Sequence, residues 1–375
     1  MYQFLVFCFL FLPFFVISNA LEDPEFFEIN IDREHPEKIY EEFEQFIIKH
    51  KRKYKSAAEK QMRLQNFIKS HNNVAKFNRQ SNESGHSTKF EINKFADLSR
   101  KEFRARLSNH VPSTPKNIKT LKRSKRQARK KYKPEMNLRF EKVNGRYIIT
   151  NVKNQGACAC CWAFAITCLA EAVYTAYLGT KTVGTYLSEQ ELCDCATDGS
   201  LGCSGGDLKW GAEYVQDKGL AAAVNYKWEE TRANQTGMCA SRTTNRTLLE
   251  NKIDFHLSNR DGYELEDMMM MLADWRIPVA VSFAVGERFR MYKKGVIYEE
   301  DCYPDDLPPV FHAGAIVGYG VEEDTGVKYW IVKNSWGVGQ DGWGDDGYFK
   351  VVRGENWCGI ERDAIGARLS DHTHA

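Results

Sequence analysis

Past its first twenty residues, this 375-residue chain has no apolar run long enough to span a bilayer. That absence excludes stable membrane insertion through any later helix. The one apolar run, Phe4 to Ile17, is short for a span, and no Lys or Arg precedes it. It ends at Ser18-Asn19-Ala20, small residues that suit signal-peptide cleavage. Residues 1–20 therefore read as a signal peptide, and the secretory pathway as the route, with a lysosomal or extracellular destination. Paired C-x2-C spacing is also missing, so the close cysteines Cys158, Cys160, Cys161, Cys193 and Cys195 do not read as a common zinc module. No metal is expected. Net charge is nearly absent as well, at +2. An exported chain with so little excess charge is not expected to bind nucleic acid.

What is present is divided. Residues 21–133 hold 28 Lys and Arg against 15 Asp and Glu, whereas residues 134–375 hold 24 against 35. A basic half and an acidic half in one chain suggest an electrostatic pair. The basic half reads as helical. Ile39, Tyr40, Phe43, Phe46 and Ile47 fall on one helical face, and Glu59, Arg63, Phe67, Ser70, Val74 and Asn78 recur every three or four residues. Three prolines from Pro112 to Pro134, with a basic tract over residues 119–133 between them, then mark an exposed linker. Arg123-Ser-Lys-Arg126 within it reads as a site for a dibasic-cutting protease. Asn82, Asn234 and Asn245 open glycosylation sequons, and ten cysteines follow the leader, both compatible with export.

The acidic half carries the chemistry. Cys161 opens an alanine-rich, helix-favouring stretch, Ala163 to Leu178, that Gly179 can cap. A thiol at a helix start meets the positive end of the dipole, which favours thiolate. Glu264 to Trp275 reads as a helix whose four methionines fill core. Val279 to Phe283, Ala315 to Val321, Lys328 to Lys333 and Gly347 to Val352 read as strands of an antiparallel, barrel-like sheet. Helices first and sheet second make an α+β fold. A nucleophilic thiolate needs an imidazole partner, a group that orients the ring, and donors for an oxyanion. Cys161, His312 and Asn334 supply the first three. Gln155 and the Cys161 backbone N–H supply the donors.

Four stretches together resemble the papain family of cysteine proteases. They are Gln155-Gly-Ala-Cys-Ala-Cys-Cys-Trp162, Gly202-Cys-Ser-Gly-Gly206, His312-Ala-Gly-Ala-Ile-Val-Gly-Tyr-Gly320 and Lys333-Asn-Ser-Trp-Gly337. The helical stripe and Asn93-Lys-Phe-Ala-Asp97 resemble the propeptide of its cathepsin L-like branch. Ser70, Val74 and Glu91 depart from the usual residues there. The resemblance implies a two-subdomain, papain-like fold over residues 134–375. It implies an inhibitory propeptide over residues 21–133 and a cysteine endopeptidase made as a zymogen. Cys161 would attack the peptide carbonyl, with His312 protonating the leaving amine. Asn334 would orient His312, and Trp336 would shield that bond. Gly205 and Gly206 would hold substrate as an extended strand, with Asp207 and Leu208 beside the second specificity pocket and Asp363 at its base. A carboxylate there would admit Lys or Arg at P2. No cofactor is implied. The implied partners are protein and peptide substrates, the chain's own propeptide and cystatin-like inhibitors, with the enzyme a monomer.

The family correspondence pairs Cys158 with Cys203, Cys195 with Cys239, and Cys302 with Cys358. Cys160, Cys168 and Cys193 are then extra, and Cys193 could pair with either of the other two. Ala159 and Cys160 replace the usual Gly and Ser before the nucleophile. Phe311 stands where a polar residue is usual and is expected to desolvate the imidazolium. The stretch from Trp336 to Trp343 is longer than usual. These departures leave a second reading open, a catalytically impaired papain-fold peptide binder.

Overall fold

The computed structural model describes residues 36–108, 119–120, 131–143, 145–178, 186–196, 201–229, 236–239, 253–258, 264–298, 302–303, 308–339, 342–362 and 364–370. Residues 1–35, the dibasic stretch Arg123 to Arg126, Asn234, Asn245 and Asp363 lie outside them.

Residues 36–108 form a covering layer. Helix Pro36–Lys49 lays Ile39, Phe43 and Phe46 against Leu64, Phe67 and Ile68 of helix Ala57–Glu83. Tyr40, placed on that face by its spacing, is 42% exposed; only three of the five spaced positions are buried. The long helix starts where the Ser56 hydroxyl accepts from the Glu59 N–H, satisfying an otherwise orphaned donor. Ion pairs tie the long helix and the connection before it to the segment that follows: Arg63 to Glu102 at 2.8 Å and Arg52 to Asp97 at 3.0 Å.

The body begins with helix Cys161–Val173, in which every residue is buried. The residues expected to extend it, Tyr174–Leu178, widen into a π-helical turn. Helices Glu189–Cys195 and Leu208–Lys218 flank it. Opposite stands a nine-stranded sheet centred on Phe311–Val321, which pairs antiparallel with Val279–Ala284 and Lys328–Lys333. The sheet is not antiparallel throughout. Val296–Ile297 and Lys119–Thr120 pair parallel at its two ends. Gly318 is required where the chain approaches closely, because a Cβ there would sit 2.3 Å from the Met136 carbonyl oxygen. Residues Met136–Asn137 pair with the central strand at this point.

The cover docks by backbone. Lys89–Phe90 pairs antiparallel with Tyr292–Lys294, and Ser108 and Phe311 exchange two N–H···O bonds of 2.8 Å. Between them, the buried Arg290 guanidinium of the body donates to the Phe95 and Leu98 carbonyls, each at 2.5 Å. Lys94 reaches the Trp336 carbonyl at 2.6 Å, and Arg106 the Gly156 carbonyl at 3.2 Å. Ion pairs also cross, but in opposite senses: Arg100 with Glu287 at 3.6 Å, and Lys293 with Glu91 at 2.8 Å. The surplus charges of the two halves therefore do not simply face each other across the boundary.

Candidate active site

Cys161 is the first residue of its helix, 1% exposed, so the helix start and the thiol coincide. The dipole and the nearby backbone amides favour thiolate. Burial is the larger effect and pushes the thiol up to about 11, against the backbone amides of Ala313, Trp162, Cys161 and Ser108. His312 lies in the central strand, and its Nε2 is 2.7 Å from Asn334 Oδ1. The same oxygen accepts from the Ser335 backbone N–H at 2.7 Å. An acceptor fixed in this way puts the imidazole proton on Nε2 and leaves Nδ1 as the basic nitrogen. Nδ1 is buried with no hydrogen-bond partner. Burial lowers the imidazole to about 4, with the Asn334 bond opposing. Under the cover, thiol and imidazole are therefore both neutral at ordinary pH.

Several aromatic rings surround His312. Trp336 lies 4.6 Å away between centroids, and Phe283 meets it edge-on at 5.7 Å. Phe289 packs at 6.2 Å. Phe311, the neighbour in sequence, lines the same small cavity as His312 and Cys161 and is bridged through its backbone to Ser108. Trp336 is itself boxed by Phe95 and Phe103 of the cover and by Phe289 and Trp343 of the body. The His312–Asn334 bond is thus shut from water on the Trp336 side.

Gln155 crosses the cleft. Its amide donates to the Cys158 carbonyl at 2.8 Å and to the Arg106 carbonyl of the cover at 3.4 Å. Its Oε1 accepts from the Ser335 hydroxyl, and its backbone N–H donates to the Ser335 carbonyl at 2.8 Å. Ser335 therefore holds both Gln155 and Asn334 in place. Gly206 lies against Trp162, where a Cβ would come within 2.6 Å of the indole. Gly205 has φ +119°, and a Cβ there would meet the Ser108 hydroxyl at 2.6 Å. Asp207 caps helix Leu208–Lys218 through the Lys209 N–H at 3.0 Å. Asp207, Leu208, Cys161, His312 and Ser108 line one small cavity.

Disulfides join Cys158 to Cys203, Cys195 to Cys239, Cys302 to Cys358 and Cys160 to Cys193. Cys161 and Cys168 are free thiols, both buried. Of the two partners open to Cys193, the structure takes Cys160, and this leaves Cys161 as the free thiol of the vicinal pair. Three residues escaped the sequence reading. Ser108 and Arg290 have no local motif, and Ser335 reads as ordinary between Asn334 and Trp336. A buried charge cluster behind the site, Lys153 with Glu171 at 2.7 Å and with Glu189, was also not foreseen.

Comparison with known proteins agrees with this arrangement. Residues 136–368 match the family model described as papain family cysteine protease. Residues 43–103 match the cathepsin propeptide inhibitor domain. The chain is 37% identical over 321 residues to oryzain gamma chain of Oryza sativa subsp. japonica, covering 85% of this chain and 80% of that protein. It is 33% identical to pro-cathepsin H of Bos taurus, covering 85% and 87% respectively. Among solved structures, the digestive procathepsin L2 proteinase of the Tenebrio molitor larval midgut superposes with a TM-score of 0.74 at 30% identity, covering 88% of this chain and all of that one. The chain belongs to the papain family of cysteine proteases, a cysteine-type peptidase carrying the family's inhibitory propeptide as a zymogen.

Proposed function

We propose that the chain is an endopeptidase whose nucleophile is Cys161, with His312 as its base and acid and Asn334 orienting the ring. The carrying observation is the fixed 2.7 Å His312–Asn334 bond, which leaves Nδ1 as the basic nitrogen in the cavity that Cys161 lines. With the cover gone, water returns and burial no longer suppresses charge, so the proton passes from Sγ to Nδ1. The thiolate attacks a peptide carbonyl, and the imidazolium protonates the leaving amine. Water then hydrolyses the acyl-enzyme with His312 as base. The Gln155 amide, now on the Arg106 carbonyl, and the Cys161 N–H take the oxyanion.

Residues 1–20 serve as signal peptide, 21–133 as propeptide and 134–375 as protease, with release by cleavage near Arg126. A secreted or lysosomal, monomeric enzyme open to cystatin-like inhibitors fits this plan. No helix among the described residues is long and apolar enough to cross a membrane. Asp207 and Leu208 line the cavity beside Cys161, and the family resemblance, which would put Asp363 at the base of the second pocket, supports tolerance of basic P2 residues. A peptide library showing no cleavage of sequences with arginine at P2 would remove that specificity and leave the mechanism standing.

The primary test is labelling of the acid-activated protein with an irreversible thiol-directed epoxide, mapped by mass spectrometry. One adduct on Cys161 with loss of peptidase activity is expected. No adduct on folded, processed protein would favour the peptide-binding reading.

A further inference from the structure

Arg290 belongs to the body, yet the cover supplies nearly all of its partners. Its Nη2 donates to the Phe95 and Leu98 carbonyls, each at 2.5 Å, and lies 3.4 Å from the Ser70 hydroxyl. The Phe103 ring faces the guanidinium at 5.5 Å. Nε is buried with no hydrogen-bond partner. Among the described side chains of the body, Glu287 alone pairs with it, at 3.5 Å from Nη1, and Glu287 is shared with Arg100 of the cover. A guanidinium that is 4% exposed in the zymogen is therefore left nearly bare when the cover departs.

The aromatic floor beside Arg290 fixes which part of a substrate it meets. Gly206, Asp207 and Leu208 line the cavity with Cys161 and His312, on the side where the glycines are read as holding the acyl part. The leaving amine departs on the other side of the imidazole, where Trp336 packs at 4.6 Å. Beyond Trp336 stand Phe289 and Trp343, at 5.5 and 4.8 Å between centroids. Phe95 and Phe103 of the cover occupy the Trp336 face that a leaving group needs. Arg290 follows Phe289, and its carbonyl accepts from the Trp343 indole at 3.0 Å, which ties it to the end of this floor. The Phe289 ring is 6.2 Å from the imidazole. At about 3.3 Å per extended residue, the guanidinium stands roughly two or three residues past the scissile bond.

We propose that Arg290 is a specificity residue of the processed enzyme, selecting substrates with Asp or Glu two or three residues after the scissile bond. This rests on the peptidase reading with Cys161 as nucleophile. In the zymogen the cover shows what the site accepts: two carbonyl oxygens on one guanidinium nitrogen, with a ring against its face. A carboxylate also offers two oxygens, in the geometry a guanidinium matches, and adds the charge a peptide carbonyl lacks. Glu287 competes for the same cation. It does not saturate it, because its one contact, at 3.5 Å to Nη1, leaves Nη2 and Nε open once the cover is gone. Arg290 serves twice, first holding the cover and then holding what the cover excluded.

The test uses enzyme processed from the full-length chain by acid activation, with active sites counted by the thiol-directed epoxide. Two internally quenched peptides with a single cleaved bond carry Glu or Gln at the second and third residues after it and are otherwise identical. They are compared at pH 6, where the glutamates are ionised. The ratio of kcat/KM values should favour the Glu peptide about 5-fold and shrink as salt is raised. Arg290→Met should bring the ratio to about one. Glu287→Gln should widen it, which a damaged fold would not do, and this variant decides alone if Arg290→Met does not survive activation. Equal cleavage of the two peptides by the parent enzyme, a preference that survives Arg290→Met, or a narrower ratio in Glu287→Gln would overturn the proposal. Cleavage of neither peptide would instead remove the peptidase reading on which it rests.

Discussion

The covering layer and the body it blocks are held together by different physics. The body has one large apolar core, which includes Trp162, Trp330, Trp343 and Phe255, and residues 134–375 hold all ten cysteines after the leader. The cover, residues 36–108, has no cysteine and only a small core round Phe43 and Phe67. Its polar side relies on Asp97 and Glu102 holding Arg52, Arg63 and the Tyr54 hydroxyl. Its grip on the body combines backbone pairing, cations donating to backbone carbonyls, and the side chains of Phe95, Leu98, Phe103 and Leu107, which are buried in the body's own apolar core. A covalently stapled core sits beneath a lid held by a few aromatic rings and carboxylates. Such a pair can lose the lid under conditions that leave the body folded.

The largest effects separate chemistry from cover. Cys161→Ala should lower peptidase activity by about 10^4-fold or more, since the nucleophile is lost. The chain should stay uncleaved and its cover docked, which gel mobility and limited proteolysis at neutral pH would show. If activity persisted, Cys168 would be the only other free thiol available among the described residues. Phe67→Ala acts on the other side. Phe67 is 1% exposed and packs on Phe43 and Phe46 at 5.3 and 5.2 Å between centroids. Its loss should cost about 3–5 kcal/mol, a large share of so small a core. The variant should hydrolyse a fluorogenic peptide at neutral pH without processing, while the melting temperature of the processed body stays unchanged. A parallel loss of body stability would mean that the two layers fold as one unit.

How much of this could be read beforehand depended on whether the signal was local. Cys161, His312, Asn334 and Gln155 each sit in a dense stretch of neighbours with few competing roles. The fold brings them round one cleft. The long helix was legible because Phe67 and Ser70 recur with its period and are buried. Tyr40 obeyed the same period but is exposed, because periodicity fixes a face without saying how far the facing layer extends. Arg290 was invisible, since a lone arginine in a strand-and-turn region has no pattern of its own. Its role arises only when Phe95 and Leu98, nearly two hundred residues earlier, turn their carbonyls toward it. Phe311 lines the cavity beside His312, and Trp336 packs on the ring where it was expected to shield the His312–Asn334 bond. Phe283 and Phe289 join them from elements whose placement adjacency in sequence does not reveal.

Arg290 therefore tests the seam between the two regions. Arg290→Met keeps an apolar stem near Phe103 and removes the donors to Phe95 and Leu98. Hydrogen bonds from a charged donor contribute about 1.5–3 kcal/mol each, and water recovers part of that. Retention of the cover should weaken by about 3 kcal/mol, on the order of 100-fold. The readout is the rate of peptide cleavage by unprocessed chain at neutral pH. An unchanged rate would shift the hold to the backbone bridge between Ser108 and Phe311.

The smallest effect concerns pH and lies within the cover itself. Glu102 caps its own turn and pairs with Arg63. Burial raises its carboxyl, but the Ser99 N–H and hydroxyl and Arg63 outweigh that, and the net shift is downward. A lowered folded value means that its contribution is present above the unfolded value, about 4.3, and is lost as pH falls through the folded one. The seam's guanidinium-to-carbonyl contacts keep their charge through that window. Acid should therefore loosen the cover from inside its own fold before it weakens the seam. Glu102→Gln lacks the contribution at neutral pH, so in the Cys161→Ala chain its cover should become sensitive to an added acid protease at higher pH. The two curves should converge only as pH falls below the lowered folded value, where Glu102 is protonated in both states. Curves that stay parallel until the cover is lost in both chains would show that Glu102 titrates alike in both states, and acid release would then have to begin at the seam.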